Sequence, residues 1–301
     1  GWCIHLGATS NDIVDSAVAI QIRDSVTIQH EVLCQLLTTM ANLAERERDT
    51  VMLGRTHGQA AVPITFGLKV AVWVDEFRRH LLRLAQMSPR VCVGKFLGAV
   101  GTGAAQGENA RELQALILTH LGLGVPLVTT QVVGRDRYIE WVSWMANVAT
   151  SVEKVLTEVR NLQRTEIAEV AEAFDVEKQV GSSTMAHKRN PITAENACGL
   201  ARIVRSMVMP TWENAILWHE RDLANSSAER FTLSHSVVLL DDILAKTDQV
   251  LGKLVVDAPR MLANIESQNG LVMAEKVMIA LVDKGMPRDE AHEVLRSASM
   301  E

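Results

Sequence analysis

The sequence predicts an all-α protein built on a long helical bundle. Three observations carry that prediction. Apolar residues recur at spacings of three and four along several long stretches. Aromatic residues make up only 4% of the chain, while alanine, valine, leucine and methionine abound, a composition that favours helix-on-helix packing. No alternating strand pattern of any length is visible.

The elements follow in order. His5 precedes a polar turn, Gly7-Ala8-Thr9-Ser10-Asn11-Asp12, in which Ser10 or Asn11 can cap the next helix. That helix carries a stripe through Leu33, Leu36, Leu37, Met40 and Leu43 and ends in the charged run Glu45–Asp49. Arg55-Thr56-His57-Gly58, bounded by glycines and stopped by Pro63, reads as an irregular turn between helices. A second helix runs through Val70, Trp73, Val74, Phe77, Leu81 and Leu84 until Pro89 breaks it. Gly94, Gly98, Gly101, Gly103 and Gly107 lack the spacing of a dinucleotide fingerprint and read as tight turns or close packing. A short helix near Ala110–Leu121 follows.

The longest regular element is expected from about Tyr138 to Glu172, with Val142, Met145, Ala149, Val152, Leu156 and Val159 forming a coiled-coil-like seam. A seam of that length, roughly 50 Å at 1.5 Å per residue, requires other long helices beside it. Further helices are expected from Pro191 to about Met209, with Pro210 as a kink, and through Val237–Leu251. Gly285 reads as a C-cap and Pro287 as the start of a last helix.

Composition excludes several functions. A net charge of −6 argues against general nucleic-acid binding. Cys3, Cys34, Cys92 and Cys198 lie far apart, with no C-x-x-C pair and no histidine at ligand spacing. They read as buried thiols in a reducing compartment, neither disulfides nor a zinc site. No apolar run approaches the roughly 20 residues of a membrane span, and no signal-peptide pattern is present. The expectation is a soluble, cytoplasmic protein without a membrane partner. Trp2 and Cys3 run straight into a motif and Arg296–Glu301 stops inside a helical pattern, which reads as a fragment.

The most informative stretch is Gly181–Asn196, GSSTMAHKRNPITAEN. Gly181, Ser182 and Ser183 are poor helix formers that hydrogen-bond locally, so this is a loop, and Pro191 suits the first turn of a following helix. Two hydroxyls, the Lys188 ammonium, the Arg189 guanidinium and the Asn190 amide thus stand ahead of a helix N-terminus. That chemistry suits a small polyanion; a solvated surface loop is the plain alternative.

GSSTMAHKRNP resembles GSSxMPxKxNP, the signature loop of the fumarase/aspartase superfamily, through Gly181, Ser182, Ser183, Met185, Lys188, Asn190 and Pro191. Ala186 departs from it, standing where the family usually has proline and freeing the backbone there. Three more stretches resemble the same superfamily, in its order. His5 with Thr9-Ser10 is similar to HxGxTSxD. His57 lies in GRTHGQ, similar to the segment of the family's catalytic histidine. Gln131 in TTQVVGRDR is similar to the glutamine that helps hold a dicarboxylate.

The resemblance implies a central helical domain that forms a twenty-helix core in a homotetramer, with active sites shared between subunits. It divides the chain into the end of an N-terminal domain at 1–20, a central long-helix bundle at 21–252 and the start of a truncated C-terminal helical domain at 253–301. It implies anti β-elimination of fumarate with no cofactor and no metal. Ser182 is then the base, activated by Lys188 and backbone N–H groups. His57 is the general acid, oriented by Glu195. His5 assists with the nucleotide part. Lys188, Asn190, Thr9, Ser10, Gln131, Thr56 and Ser183 hold the rest of the substrate. Thr9 and Ser10 are open to a second reading as helix caps.

In WHERDLANSSAER, Arg221, Ser226 and Arg230 match the spaced set that holds the nucleotide phosphate in the adenylosuccinate lyase family. Two guanidiniums and a hydroxyl suit a phosphate dianion; helix-surface ion pairs with Glu220, Asp222 and Glu229 are the alternative. This set points to cleavage of adenylosuccinate to AMP and fumarate, and of the related succinylcarboxamide ribotide, in purine synthesis. A 3-carboxy-cis,cis-muconate cycloisomerase, a non-catalytic structural homologue and a helical module binding acidic ligands are the other readings.

Overall fold

The computed structural model describes residues 5–173, 185 and 188–300. In chain order the elements are α1 (Ser10–Arg46), β1 (Val51–Thr56), β2 (Gln59–Thr65), α2 (Phe66–Val91), α3 (Ala110–His120) and α4 (Asp136–Leu162). They continue with β3 (Val170–Ala171), α5 (Ile192–Ser206), α6 (Val208–Glu213), α7 (Ser226–Gly252), β4 (Val255–Val256), α8 (Ala258–Glu266), α9 (Ala274–Asp283) and α10 (Arg288–Ala298). The chain is mostly helical, as expected.

Two compact units share these elements. The first comprises residues 1–37, 75–157 and 192–249, and the second 38–74, 158–191 and 250–301. In the first unit α4 is the centre: Val142, Met145, Ala149 and Val152 are wholly buried. Trp141 donates to Gln29 of α1 at 3.1 Å and Trp144 to the His80 carbonyl of α2 at 3.1 Å. Glu153 pairs with Arg202 of α5, and Lys246 of α7 donates to Asn196 of α5 at 2.6 Å. Large indoles buried with their N–H groups satisfied add area without a polar penalty. In the second unit α8 packs on β1, while β3 pairs antiparallel with β4.

Several sequence expectations are corrected. The longest helix is α1, at 37 residues, and α4 stops at Leu162. No glycine or proline interrupts residues 163–171, yet Ala168 takes a left-handed φ of 55°, and its N–H and that of Ile167 both return to the Arg164 carbonyl. Pro89 lies inside α2, which runs two residues further. The break near Pro210 falls at Met207, between α5 and α6; proline lacks the N–H that the Ser206 carbonyl would accept from an unbroken helix. Cys34 and Cys92 are half-buried, and only Cys198 is buried among the described cysteines.

The expected turn around His57 is the tip of an antiparallel hairpin, β1–β2, which the sequence did not show as strands. A bulge between Leu53 and Arg55 breaks the alternation. Gly54 allows the close approach there, since a Cβ would lie 2.4 Å from the Val62 carbonyl oxygen. Pro63 is tolerated because a two-stranded sheet has only edges. Elsewhere the punctuation holds: Gly285, at φ 95°, and Met286 close α9 by donating to Val282 and Leu281, a Schellman motif.

Candidate active site

In the first unit, Thr9 stands just ahead of α1, and its N–H donates to Asp12 Oδ2 at 2.7 Å. The third helical residue thus reaches back to cap the helix, half of a capping box, instead of Ser10 or Asn11 doing so. The same carboxylate accepts the N–H groups of Leu97 and Gly98 at 3.1 Å each and the Lys95 ammonium. Both side chains of this ion pair are fully buried. A buried pair offsets its desolvation only when the remaining lone pairs are satisfied, and here four donors converge on Asp12.

This fixes the loop that follows. Ala99 O accepts from Gln131 Nε2 at 2.8 Å, and Gln131 Oε1 accepts from Arg221 Nη1 at 2.9 Å. With the Asn11 amide oriented to satisfy its partner, its oxygen accepts from Arg221 Nη1 and Nε at 3.0 and 3.1 Å. Arg221 lies in a turn organised by Asp222, which accepts the N–H groups of Trp218 and Ala224 at 2.7 Å each. Those two backbone donors, Ala224 first, hold the Asp222 carboxyl below its ordinary pKa.

Ser10, Asn11, Arg221, Ser226 and Arg230 line one cavity of about 610 Å³. Ser226 opens the 27-residue α7, so the helix N-terminus adds partial positive charge beside two guanidiniums. Further along α1 and α7 the lining turns apolar, with Val14, Val18, Ile22, Leu233 and Val237. The surface ion-pair alternative is not what forms: Glu229 bonds Arg135, and Asp222 takes backbone donors.

Arg135, at the head of α4, is nearly buried. It donates Nη1 and Nη2 to Asp15 of α1 at 2.9 and 3.1 Å, and Nε and Nη2 to Glu229 of α7 at 2.8 and 3.3 Å. Its guanidinium also stands 5.0 Å from the centre of the Tyr138 ring. Burial pushes the Tyr138 phenol well above its ordinary pKa.

His5, exposed with φ 70°, belongs to the first unit, in a turn closed by Ala8 N–H to its carbonyl at 3.2 Å. Glu195 is exposed in the first turn of α5.

The remaining described residues of the predicted set belong to the second unit. Thr56 pairs with Gln59, leaving His57-Gly58 as a two-residue hairpin loop with φ of 54° and 75°. Two positive φ values are what a type I′ turn requires, and a histidine there is uncommon. The hairpin is anchored two residues before His57, where Arg55 donates to both oxygens of the buried Glu169 at 2.7 and 2.9 Å. Asn264 of α8 donates to the same carboxylate at 2.8 Å. Lys188 is exposed and its N–H donates to Met185 O at 3.0 Å; Asn190 is half-buried. Gln163 joins the flanks of the signature loop, accepting from Glu172 N–H at 2.8 Å and donating to Arg189 O at 3.3 Å. Ser182 and Ser183, like Gly181 and Ala186, lie outside the described residues.

Sequence reasoning missed Asn11 as a site residue, and missed Asp12, Arg135 and Glu229 altogether as organisers. Asp12 is the final position of the HxGxTSxD segment, and Arg135 lies in the TTQVVGRDR stretch. Neither position by itself distinguishes a buried charge from a surface one. Among the described residues no group of three histidine, cysteine or acidic side chains is arranged to hold a metal. No described helix is long and apolar enough to cross a membrane.

The sequence model of the lyase family matches residues 2–206, and that of the adenylosuccinate lyase C-terminus matches 270–301. Adenylosuccinate lyase of Methanothermobacter thermautotrophicus is 49% identical over all of this chain and 67% of its own length. That of Pyrococcus abyssi is 50% identical over all of this chain and 66% of its own length. A fumarate lyase structure from Mesorhizobium superposes with a TM-score of 0.90 at 35% identity, over 98% of this chain and 66% of its own. The 3-carboxy-cis,cis-muconate lactonizing enzyme of Pseudomonas putida superposes with a TM-score of 0.88 at 34% identity, over 98% and 65%. The chain spans about two thirds of the length of the curated relatives it matches. With the lyase model covering more than half of its residues and relatives near half identical along its whole length, the chain belongs to the adenylosuccinate lyase family of the fumarase/aspartase superfamily.

Proposed function

We propose that the protein cleaves adenylosuccinate to AMP and fumarate by anti β-elimination, and the related succinylcarboxamide ribotide likewise, in purine biosynthesis. The observation that carries this reading is the cavity end formed by Ser10, Asn11, Arg221, Ser226 and Arg230 at the head of α7. It supplies the hydrogen-bonded Arg221 guanidinium, the exposed Arg230 guanidinium, hydroxyls and a helix N-terminus, the donors that a phosphate dianion needs. A fumarase or aspartase substrate has no phosphate to use them. The names of the most similar curated relatives support the same substrate.

In this reading Ser182, as the alkoxide, takes the proton from the carbon beside a carboxylate. The electron pair moves to form the new double bond, the C–N bond breaks, and His57 gives its proton to the departing nitrogen. Lys188 and Asn190 hold the carboxylate on which negative charge accumulates, with Thr9, Thr56, Gln131 and Ser183 completing that end. His5 contacts the nucleotide part and Glu195 orients His57. No cofactor or metal takes part. The protein acts as a cytoplasmic homotetramer whose active sites draw residues from several subunits.

Ultraviolet monitoring of the purified protein with adenylosuccinate tests this. Conversion to AMP that Ser182→Ala and His57→Ala each abolish is expected. No conversion, together with turnover of 3-carboxy-cis,cis-muconate, would move the chain to the cycloisomerase reading; binding of AMP without any turnover would leave a non-catalytic homologue.

A further inference from the structure

The phosphate seat proposed above has an unfavourable neighbour. Glu229 lies between Ser226 and Arg230 on the first turns of α7 and itself lines the cavity. Asp15 stands one helical turn beyond Asn11 on α1. Two carboxylates beside a dianion oppose its binding unless their charge is answered, because uncompensated charges in a partly buried site are screened weakly.

Arg135 answers both. Its side chain is 5% exposed, and it forms two hydrogen bonds to each carboxylate. Asp15 is held further by the Val133 N–H at 2.8 Å, and Glu229 by Asn225 Nδ2 at 2.7 Å. The planar fork of a guanidinium suits two carboxylates at once, which an ammonium does not. Asp15 belongs to the helix that carries Ser10 and Asn11, and Glu229 to the helix that carries Ser226 and Arg230. One buried cation therefore ties the two walls together and offsets one of the two negative charges between them.

We propose that Arg135 is a positioning residue of the phosphate seat: it holds the Glu229 and Asp15 oxygens and offsets half of their combined charge, so that Arg221 and Arg230 bind the phosphate against less opposition. This rests on the nucleotide reading of the cavity. Arg135 also lines the cavity, but its five N–H donors are taken by Asp15, Glu229 and the Val133 carbonyl, so its effect passes through Glu229.

The test measures AMP binding by calorimetry and steady-state kinetics in the purified protein for Arg135→Met, Arg135→Lys and Arg135→Met/Glu229→Gln. Arg135→Met is expected to weaken AMP and raise KM at least tenfold while kcat changes less than threefold. Adding Glu229→Gln is expected to recover most of that loss, because the exposed carboxylate is then gone. Arg135→Lys should fall between, and serves as the decisive variant if the methionine form does not fold. Wild-type affinity in a folded Arg135→Met or Arg135→Lys protein would overturn the proposal. A loss that Glu229→Gln leaves untouched would overturn it too, reducing Arg135 to a strut. Failure of the wild-type protein to bind AMP at all would instead defeat the nucleotide reading.

Discussion

Arg221 donates to the side-chain oxygen of Gln131 at 2.9 Å, and Gln131 passes the link on to the Ala99 carbonyl. The residue proposed for the phosphate end thus orients the residue proposed for the dicarboxylate end. A displacement of either is felt by the other through that bond.

A double-mutant cycle follows from that bond. Arg221→Ala should lower kcat/KM by more than the loss of phosphate attraction alone, since Gln131 is released as well. Combined with Gln131→Ala, the losses should fall short of additivity by about 0.5–3 kcal/mol, the range for residues in one hydrogen-bond network. Strictly additive losses in kcat/KM would show that the two residues act independently.

His57 bears a backbone penalty for its place in the hairpin tip. A left-handed conformation costs a side chain with a Cβ roughly 1–2 kcal/mol, and asparagine bears it better. His57→Asn is therefore expected to melt at or slightly above the wild-type temperature while kcat falls about 10²–10⁴-fold, the usual contribution of a general acid. A variant that keeps its activity would remove His57 from the chemistry.

Arg55 and Glu169 hold the same hairpin from behind. Removing Arg55 leaves a carboxylate with no exposed surface facing, among the described residues, only Asn264. Arg55→Met should cost about 3–5 kcal/mol, the penalty for stranding one member of a buried pair. Arg55→Met/Glu169→Leu should recover much of it, although Asn264 then loses an acceptor. Urea midpoints of the three proteins decide the matter: equal losses in single and double variants would contradict it.

His80 gives the fold a pH dependence. Burial, reinforced by the Arg83 cation, pushes its pKa from 6.5 down to about 4. Its Nε2 meets Ser151 at 2.8 Å, with Glu76, Lys154 and Arg79 nearby. The folded chain keeps the ring neutral while the unfolded chain protonates it, so the unfolded state binds more protons between these values. Stability from this group is complete above pH 6.5 and is lost as pH falls toward 4, by about 3 kcal/mol in all. Unfolding free energies from pH 7.5 to 4.5 should fall more steeply for the wild type than for His80→Gln. Parallel curves would show that His80 carries none of the dependence.

The helices were legible because their seams are long and their breakers sit at the ends: Val142 to Val159 are buried as the spacing required, and Gly285 and Pro287 stop and start helices where expected. The hairpin was not, since Gly54 and the bulge erase its alternation and Pro63 reads as a stop. In the candidate site, short spacing made Arg221, Ser226 and Arg230 readable as a set, whereas Ser10, expected with the dicarboxylate donors, lines the same cavity as they do. Asp12, Arg135 and Glu229 were not, because a charge that will be buried looks in sequence like any solvated one. Only long-range pairing, across 83 residues for Asp12 with Lys95 and 94 for Arg135 with Glu229, reveals the difference.

The four donors gathered by Asp12 carry a lesson for anyone exchanging pieces between relatives. The turn bearing Thr9 and Ser10 and the strip from Lys95 to Gly98 share one carboxylate, with no lone pair to spare for a mismatched neighbour. A graft that brings only one of them would arrive with either an acceptor short of donors or a buried ammonium left with the Gly98 carbonyl and no counter-charge. The two segments are a single structural module written in two places, and an exchange between family members should keep its fold only when both are moved together.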